Sequence, residues 1–278
     1  MSYSAPLKLK DINEVKIAAT ILNINSGEVV AYLSNHKNLP PKKISKLNEK
    51  LELFRSGYPL DYIIGYVELS GMQFAVNKFT LIPRPETIDW LNDLSNSATQ
   101  TNTIKFQKPT ELLLDIGCGC GLIGLSLASL FNKVLLTDLS KSALRIAKEN
   151  AEFNNINNVE FYCSNLLENH DLKKKIENLP YTLIANLPYV PTADLKNVDA
   201  NNLHFEPKKA IFSGKDGLYL FKKLIKQLKA APSYKPSEII LELDPRNIQA
   251  AEVILKELYQ NTIIWPDNYG KQRLLQAW

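Results

Sequence analysis

The sequence predicts an α/β fold built on a mainly parallel sheet, preceded by a small helical domain. Three observations carry that prediction. From about residue 111 onward, strand-like apolar runs alternate with helical segments, the order that gives parallel strands joined by crossover helices. Over the first 60 or so residues, apolar positions recur at helical spacing with no strand pattern. The composition is that of an ordinary globular chain: 278 residues, 45% hydrophobic and 22% charged, with mean hydropathy −0.17. That excludes disordered, collagen-like and disulfide-scaffold chains. No apolar run reaches the length of a membrane span. Cys118, Cys120 and Cys163 make no disulfide framework and point to a reducing compartment.

The elements follow in order. Ile12, Val15, Ala19 and Leu22 share a helical face, as do Ile44, Leu47, Leu51 and Phe54. Asn25-Ser-Gly27 and Pro40-Pro41 punctuate between them. Residues 1–62 therefore read as a helical domain. Residues 1–55 hold nine Lys/Arg against five Asp/Glu, whereas the remainder is balanced. A basic front domain on a neutral body suits an acidic partner. The first 30 residues hold no Arg and no hydrophobic signal core, so the expected location is the cytoplasm, with the mitochondrial matrix as the alternative. Residues 63–87 form a hairpin-like bridge: Ile63–Leu69, Met72–Val76 and Phe79–Ile82 read as short strands, turning at Ser70-Gly71 and Asn77-Lys78. Pro83-Arg84-Pro85 ends it. A helix over 86–95 and a polar loop over 95–110 open the third region, 88–278. Strands are expected at Glu111–Ile116, Lys133–Asp138, Val159–Cys163, Tyr181–Asn186 and Glu238–Leu243. Helices are expected near 121–131, 140–153, 216–229 and 246–259. Ser140 is placed to cap the second, since its hydroxyl can accept a free first-turn N–H. In such sheets ligands bind at the carboxyl ends of the strands, and each motif below falls at such an end.

The first motif is Asp115-Ile-Gly117-Cys118-Gly119-Cys120-Gly121, running on to Gly124. An apolar strand enters a glycine-rich turn and then a helix, which suits a backbone approaching a ligand closely beside free helix N–H groups. Asp138, ending the next strand, is placed to accept hydrogen bonds from ribose hydroxyls. Gly119, Gly121 and Gly124 also spell the dinucleotide fingerprint. The acid two residues before the first glycine is instead the usual form in S-adenosylmethionine enzymes: Asp115 can meet a cationic amino-acid end, which a pyrophosphate would not favour. Cys118 and Cys120 lack a second cysteine pair, and His36, His170 and His204 are scattered, so no metal site is expected.

The second motif is Asn186-Leu187-Pro188-Tyr189. It resembles the Asn-Pro-Pro-Tyr motif of methyltransferases acting on planar nitrogens. An amide nitrogen is a poor nucleophile because its lone pair is delocalised. It must be held by two acceptors and aimed at the methyl group. The Asn186 side-chain oxygen can be one acceptor and the Leu187 carbonyl the other, with Tyr189 stacking on the flat group. Leu187 replaces the motif's first proline, so the carbonyl is kept and the fixed φ is lost.

With both motifs placed, the chain resembles the protein-(glutamine-N5) methyltransferase family that modifies peptide-chain release factors. The resemblance covers most of the chain: Gly57–Gly65, Leu81-Ile-Pro-Arg-Pro-Glu-Thr87, Asp115–Gly121, Asp138, Asn186–Tyr189, Phe205-Glu206-Pro207, Gly214–Leu218, Glu242 and Arg273. It implies a class I S-adenosylmethionine-dependent methyltransferase fold, Rossmann-like, with a seven-stranded sheet. It implies S-adenosylmethionine as cofactor, held by Asp115, Gly117, Cys118, Gly119, Cys120, Gly121, Asp138, Asn165, Leu166 and Asn186. Asn165 stands where the family has an acid approaching the adenine, and Leu166 where it often has an aromatic. Ile88 replaces the usual acid after Thr87. The implied substrate is the glutamine of the Gly-Gly-Gln loop in a class I release factor, gripped by the front domain and held at Asn186, Leu187, Pro188 and Tyr189. A monomer with no membrane or direct nucleic-acid partner is expected. The stretch Arg84–Glu86 joins the domains and also admits a plain interdomain ion pair. Three other readings stand beside this one: an N6-adenine DNA or RNA methyltransferase, a non-catalytic cofactor-fold binding protein, and an NAD-dependent oxidoreductase. The last leaves Asn186–Tyr189 unexplained.

Overall fold

The computed structural model describes residues 9–35, 40–95, 104–108, 110–196 and 203–278. His36 and most of the polar stretch 95–110 lie outside the described residues. The chain divides into two units, Met1–Tyr66 and Val67–Trp278.

In the first unit, helices α1 (Ile12–Leu22), α2 (Val29–Asn35), α3 (Pro41–Arg55) and α4 (Leu60–Ile64) follow one another. Asp11 caps α1 by accepting from the N–H groups of Asn13 and Glu14. Pro41 opens α3, where its missing N–H costs nothing. Ile17, Ala18, Val29, Leu47 and Leu51 form the core. Glu14 is buried beside them and takes two hydrogen bonds from Arg55, at 2.7 and 2.9 Å. That pairing holds its carboxyl below the usual range, against the opposing effect of burial.

A two-stranded sheet of β1 (Tyr66–Leu69) and β2 (Met72–Ala75) follows, all of it but Tyr66 in the second unit. The bridge departs from the sequence reading at both ends. Ile63 and Ile64 belong to α4, which Gly65 terminates at φ +95°. Phe79–Ile82 forms no strand. Asn77 closes a turn there, accepting the Phe79 N–H on its side chain at 3.0 Å and the Thr80 N–H on its carbonyl at 2.9 Å. Ile82 N–H goes to the Glu206 carboxylate, at 2.9 Å, instead of to a strand partner.

After α5 (Pro85–Ser95) comes a seven-stranded sheet, made of β3 (Leu112–Ile116), β4 (Lys133–Asp138), β5 (Val159–Cys163), β6 (Thr182–Ala185), β7 (Glu238–Glu242), β8 (Thr262–Pro266) and β9 (Gln272–Ala277). Its order is β5-β4-β3-β6-β7-β9-β8, parallel except that β9 runs antiparallel to both neighbours. The core strands β3, β6 and β7 are buried almost throughout, as in a parallel sheet covered on both faces. Between strands lie α6 (Leu122–Ser126), α7 (Lys141–Phe153), α8 (His170–Ile176), α9 (Tyr219–Ala230) and α10 (Ile248–Leu255). The amphipathic α7 buries Ala143, Leu144, Ile146, Ala147 and Ala151. Each such leucine or isoleucine contributes about 1.5–3 kcal/mol. Ser140 caps α7 as predicted, accepting from Ala143 N–H at 3.2 Å.

Three elements escape the sequence reading. The helix α8 is a lysine-rich single stretch capped by Asn169, burying only Leu172 and Ile176. The strands β8 and β9 form an antiparallel pair after the alternating pattern has ended. Chain order reverses around β3, with β4 on one side and β6 on the other. The crevice beyond the carboxyl ends of these strands is where such sheets bind ligands.

Candidate active site

A cavity of about 570 Å³ opens at that crevice, within the range of small-molecule sites. Its wall includes Gly117, Cys118, Gly119 and Cys120 after β3, Asp138 at the end of β4, Asn165 and Leu166 after β5, and Asn186, Leu187 and Pro188 after β6. Residues from four strand ends that are far apart in sequence thus meet at one surface.

The glycine loop is held from below. Gly117 and Cys118 donate their N–H groups to the Thr137 carbonyl, at 2.8 and 2.9 Å. Gly119 sits at φ +56°, in the left-handed region, and a Cβ there would meet nothing within 4 Å. The loop therefore needs glycine for its backbone angle and leaves open space above it. Its N–H donates to Asp138 Oδ2 at 2.9 Å, while Ser140 N–H donates to Oδ1 at 2.7 Å. Burial pushes the Asp138 carboxyl up, and these backbone bonds oppose the rise. Cys118 and Cys120 are buried thiols, and burial pushes Cys120 up to about 12. Neither is a thiolate at neutral pH. Among the described residues, no three His, Cys, Asp or Glu side chains cluster as a metal site.

Three residues expected at the site stand off the wall. Asp115 is fully buried beneath the loop, where its Oδ2 accepts the Gly124 N–H at 2.8 Å. Meeting a cationic ligand end directly would require it at the surface of the cavity; here it ties the loop to α6. Its Oδ1 has no hydrogen-bond partner among the described residues, and burial pushes its pKa up to about 7. Gly121 starts α6 at φ +84° and faces Leu125 and Ala147. Tyr189 directs its hydroxyl to Glu242 Oε1 at 3.4 Å, so its ring is no part of the wall expected to stack on a flat group.

Leu187 explains the missing proline. Its side chain is buried, and its Cδ2 would lie 3.0 Å from a Cβ built on Gly117. Packing against the glycine loop holds the turn in place of a ring-fixed φ. Leu166 is buried in the central core and also reaches the wall.

A polar network that joins Arg84 and Thr87 on the wall to Glu206, Glu242 and Arg273 off it was not predicted. Asn186 Nδ2 donates to Thr87 Oγ1 at 3.2 Å, and Thr87 donates to Glu242 Oε2 at 2.7 Å. Arg84 pairs with Glu206 at 2.7 Å and Glu86 with Arg273 at 3.6 Å, so Arg84 and Glu86 are bound to distant partners. The motif residues named by resemblance come together here, but these pairings connect segments 99 or more residues apart in the chain. Local sequence gives no signal for such pairs.

The parallel sheet with its antiparallel edge, and the glycine loop and Asn-Leu-Pro-Tyr turn facing one cavity, define a class I S-adenosylmethionine-dependent methyltransferase. The methyltransferase small domain family model matches residues 96–194. The release factor glutamine methyltransferase of Flavobacterium psychrophilum is 31% identical, over 79% of this chain and 75% of that one. That of Deinococcus radiodurans is 31% identical over 88% and 83%, and that of Enterococcus faecalis 33% identical over 88% and 84%. This chain belongs to the release factor glutamine methyltransferase family. Among solved structures, the human methyltransferase 10 domain containing protein is similar in fold, with TM-score 0.50, 14% identity, and coverage of 74% of this chain and 88% of that one.

Proposed function

We propose that this chain transfers a methyl group from S-adenosylmethionine to the side-chain amide nitrogen of the glutamine in the Gly-Gly-Gln loop of a class I peptide-chain release factor. The observation that carries the reading is Asn186. It lies on the cavity wall with its Nδ2 committed to Thr87, and its Oδ1 receives no hydrogen bond from the described residues. The relatives' shared name, release factor glutamine methyltransferase, supplies the acceptor class.

The residues fit the cofactor. Open space over Gly119 admits a ligand close to backbone, and the Asp138 carboxylate on the same wall can accept from ribose hydroxyls. Asn165 would meet the adenine, with Leu166 as an apolar surface beneath it. When bound, S-adenosylmethionine supplies an electrophilic methyl group on a sulfonium sulfur.

The protein's part is positioning. Asn186 Oδ1 and the Leu187 carbonyl each accept one N–H of the glutamine amide. Held by both, the nitrogen is oriented for in-line attack, and the entropy of alignment is met by binding. The two acceptor dipoles also stabilise the positive charge that develops on nitrogen as the N–C bond forms and the methyl's bond to sulfur breaks; one amide proton then leaves to water. Pro188 limits the turn's freedom at the next position. The helical unit Met1–Tyr66, with its basic surplus, serves in this reading as the grip on the factor. The cytoplasm is the compartment, supported by bacterial relatives and three free cysteines. Among the described residues, no helix is long and apolar enough to cross a membrane.

The test is transfer of labelled methyl to three acceptors: a class I release factor, its Gln→Ala form in the Gly-Gly-Gln loop, and duplex DNA. The reading predicts label on the unaltered factor alone. Label on DNA would replace it with adenine methylation.

A further inference from the structure

Glu242 is a deeply buried acid near the site, 1% exposed, and is no part of the cavity wall. Every group bonded to it is a donor. Thr87 Oγ1 donates to its Oε2 at 2.7 Å, Trp90 Nε1 donates to the same oxygen at 2.8 Å, and the Tyr189 hydroxyl reaches its Oε1 at 3.4 Å. A hydroxyl has a single proton. With that proton given to Glu242, Thr87 can only accept from Asn186. The Asn186 amide must then present its NH₂, and does so at 3.2 Å. An asparagine amide turned over would direct NH₂ at the incoming amide, setting donor against donor.

We infer that Glu242, acting through the Thr87 hydroxyl, is a positioning residue that fixes the Asn186 side chain with its oxygen facing the acceptor nitrogen. Trp90 Nε1 can only donate, so the shared Oε2 is an acceptor toward Thr87 as well, and the direction of the whole relay is set at its buried end. Burial pushes the Glu242 pKa up, while the Trp90 and Thr87 bonds and the charge of Arg273 favour the ionised form. The inference rests on the amide-methylation reading for its catalytic consequence, but not for the orientation itself.

Three variants separate orientation from structure. Glu242→Gln keeps the volume but can offer Thr87 either a donor or an acceptor, so the relay loses its direction. Thr87→Val removes the hydroxyl at nearly constant shape. Thr87→Ser restores it. For full-length chains with a release factor, kcat is expected to fall roughly ten- to a hundredfold in Glu242→Gln and Thr87→Val, the scale of a misaligned positioning group. Thr87→Ser is expected to stay close to the parent, and cofactor affinity to change little in all three. The double variant should be no slower than Thr87→Val alone, because both act through one path. In parallel, the Asn186 side-chain ¹⁵NH₂ resonance, assigned by its loss in Asn186→Ala, should show one hydrogen-bonded proton in the parent and in Thr87→Ser only. Parent-like kcat and resonance in Thr87→Val would overturn the inference, as would a Thr87→Ser chain that fails as Thr87→Val does. If the unaltered chain methylates no release factor, the substrate reading fails instead, and the Asn186 resonance alone decides the orientation.

Discussion

Asn186 and Asp138 share one cavity, and the proposed function gives them different roles. Asn186→Ala removes one of two acceptors for the amide and is expected to cut methyl transfer about 10²–10³-fold, the scale seen when one preorganised dipole is lost. Cofactor affinity, measured by calorimetry on the same variant, should be nearly unchanged. Asp138→Ala should do the reverse, weakening the cofactor first, because it loses the acid on the wall and the anchor for Gly119. If Asn186→Ala kept near-parent activity, the acceptor assignment would be wrong. Asp115 makes a different prediction. Its ordinary value is 3.8, and burial carries it to about 7 in the folded chain. Between those values the folded state holds a proton that the unfolded state has lost, so stability falls as pH rises through this window and stays low above it. A tenfold difference in proton affinity between the two states corresponds to about 1.4 kcal/mol. Asp115→Asn should flatten this part of the profile and equal or exceed the parent's stability above pH ~7. Denaturant unfolding of the ligand-free chain at the two ends of the window checks it; an unchanged slope would contradict it.

At the scale of elements, the turn after β6 is clamped by the segment that follows it. Val190 N–H donates to the Ile211 carbonyl and Ser213 N–H to the Val190 carbonyl, both at 3.0 Å. Gly217, at φ +80°, lies so close that a Cβ there would come within 2.1 Å of the Tyr189 carbonyl oxygen. Gly217→Ala must therefore push the Tyr189 backbone aside. The expected result is a loss of about 1–3 kcal/mol in unfolding free energy, with kcat lowered roughly tenfold or more through the displaced turn. Parent-like kinetics would show that the clamp does not govern the site. This contact also marks what sequence can reveal. The glycine loop and the Asn186 turn were legible because each is local: an apolar strand, then the loop that leaves it. Which face of a loop meets the cavity was not, so Asp115 and Tyr189 were expected on the wall and stand behind it. The strands β8 and β9 were missed because their pairing is antiparallel and falls outside the alternating rhythm. Phe79–Ile82 has strand composition, yet its backbone bonds go to Asn77 and to the distant Glu206.

At the scale of the molecule, the chain divides into two units. The unit Met1–Tyr66 has its own core around Ile17 and Leu47 and its own buried Glu14–Arg55 pair. The unit Val67–Trp278 holds every residue of the cavity wall. The division into a helical front part and an α/β body was readable from periodicity alone, whereas the network of Arg84, Thr87, Glu206, Glu242 and Arg273 depends on pairings made only in the folded chain. The central claim is chemical: the chain methylates one side-chain amide. The most direct measurement is mass spectrometry of a class I release factor incubated with the chain and S-adenosylmethionine, digested and fragmented to locate the added methyl. The account predicts a single methyl on the side-chain amide of the Gly-Gly-Gln glutamine, absent when Asn186→Ala replaces the parent chain. A methyl on any other residue of the factor, or the same yield from Asn186→Ala, would contradict it.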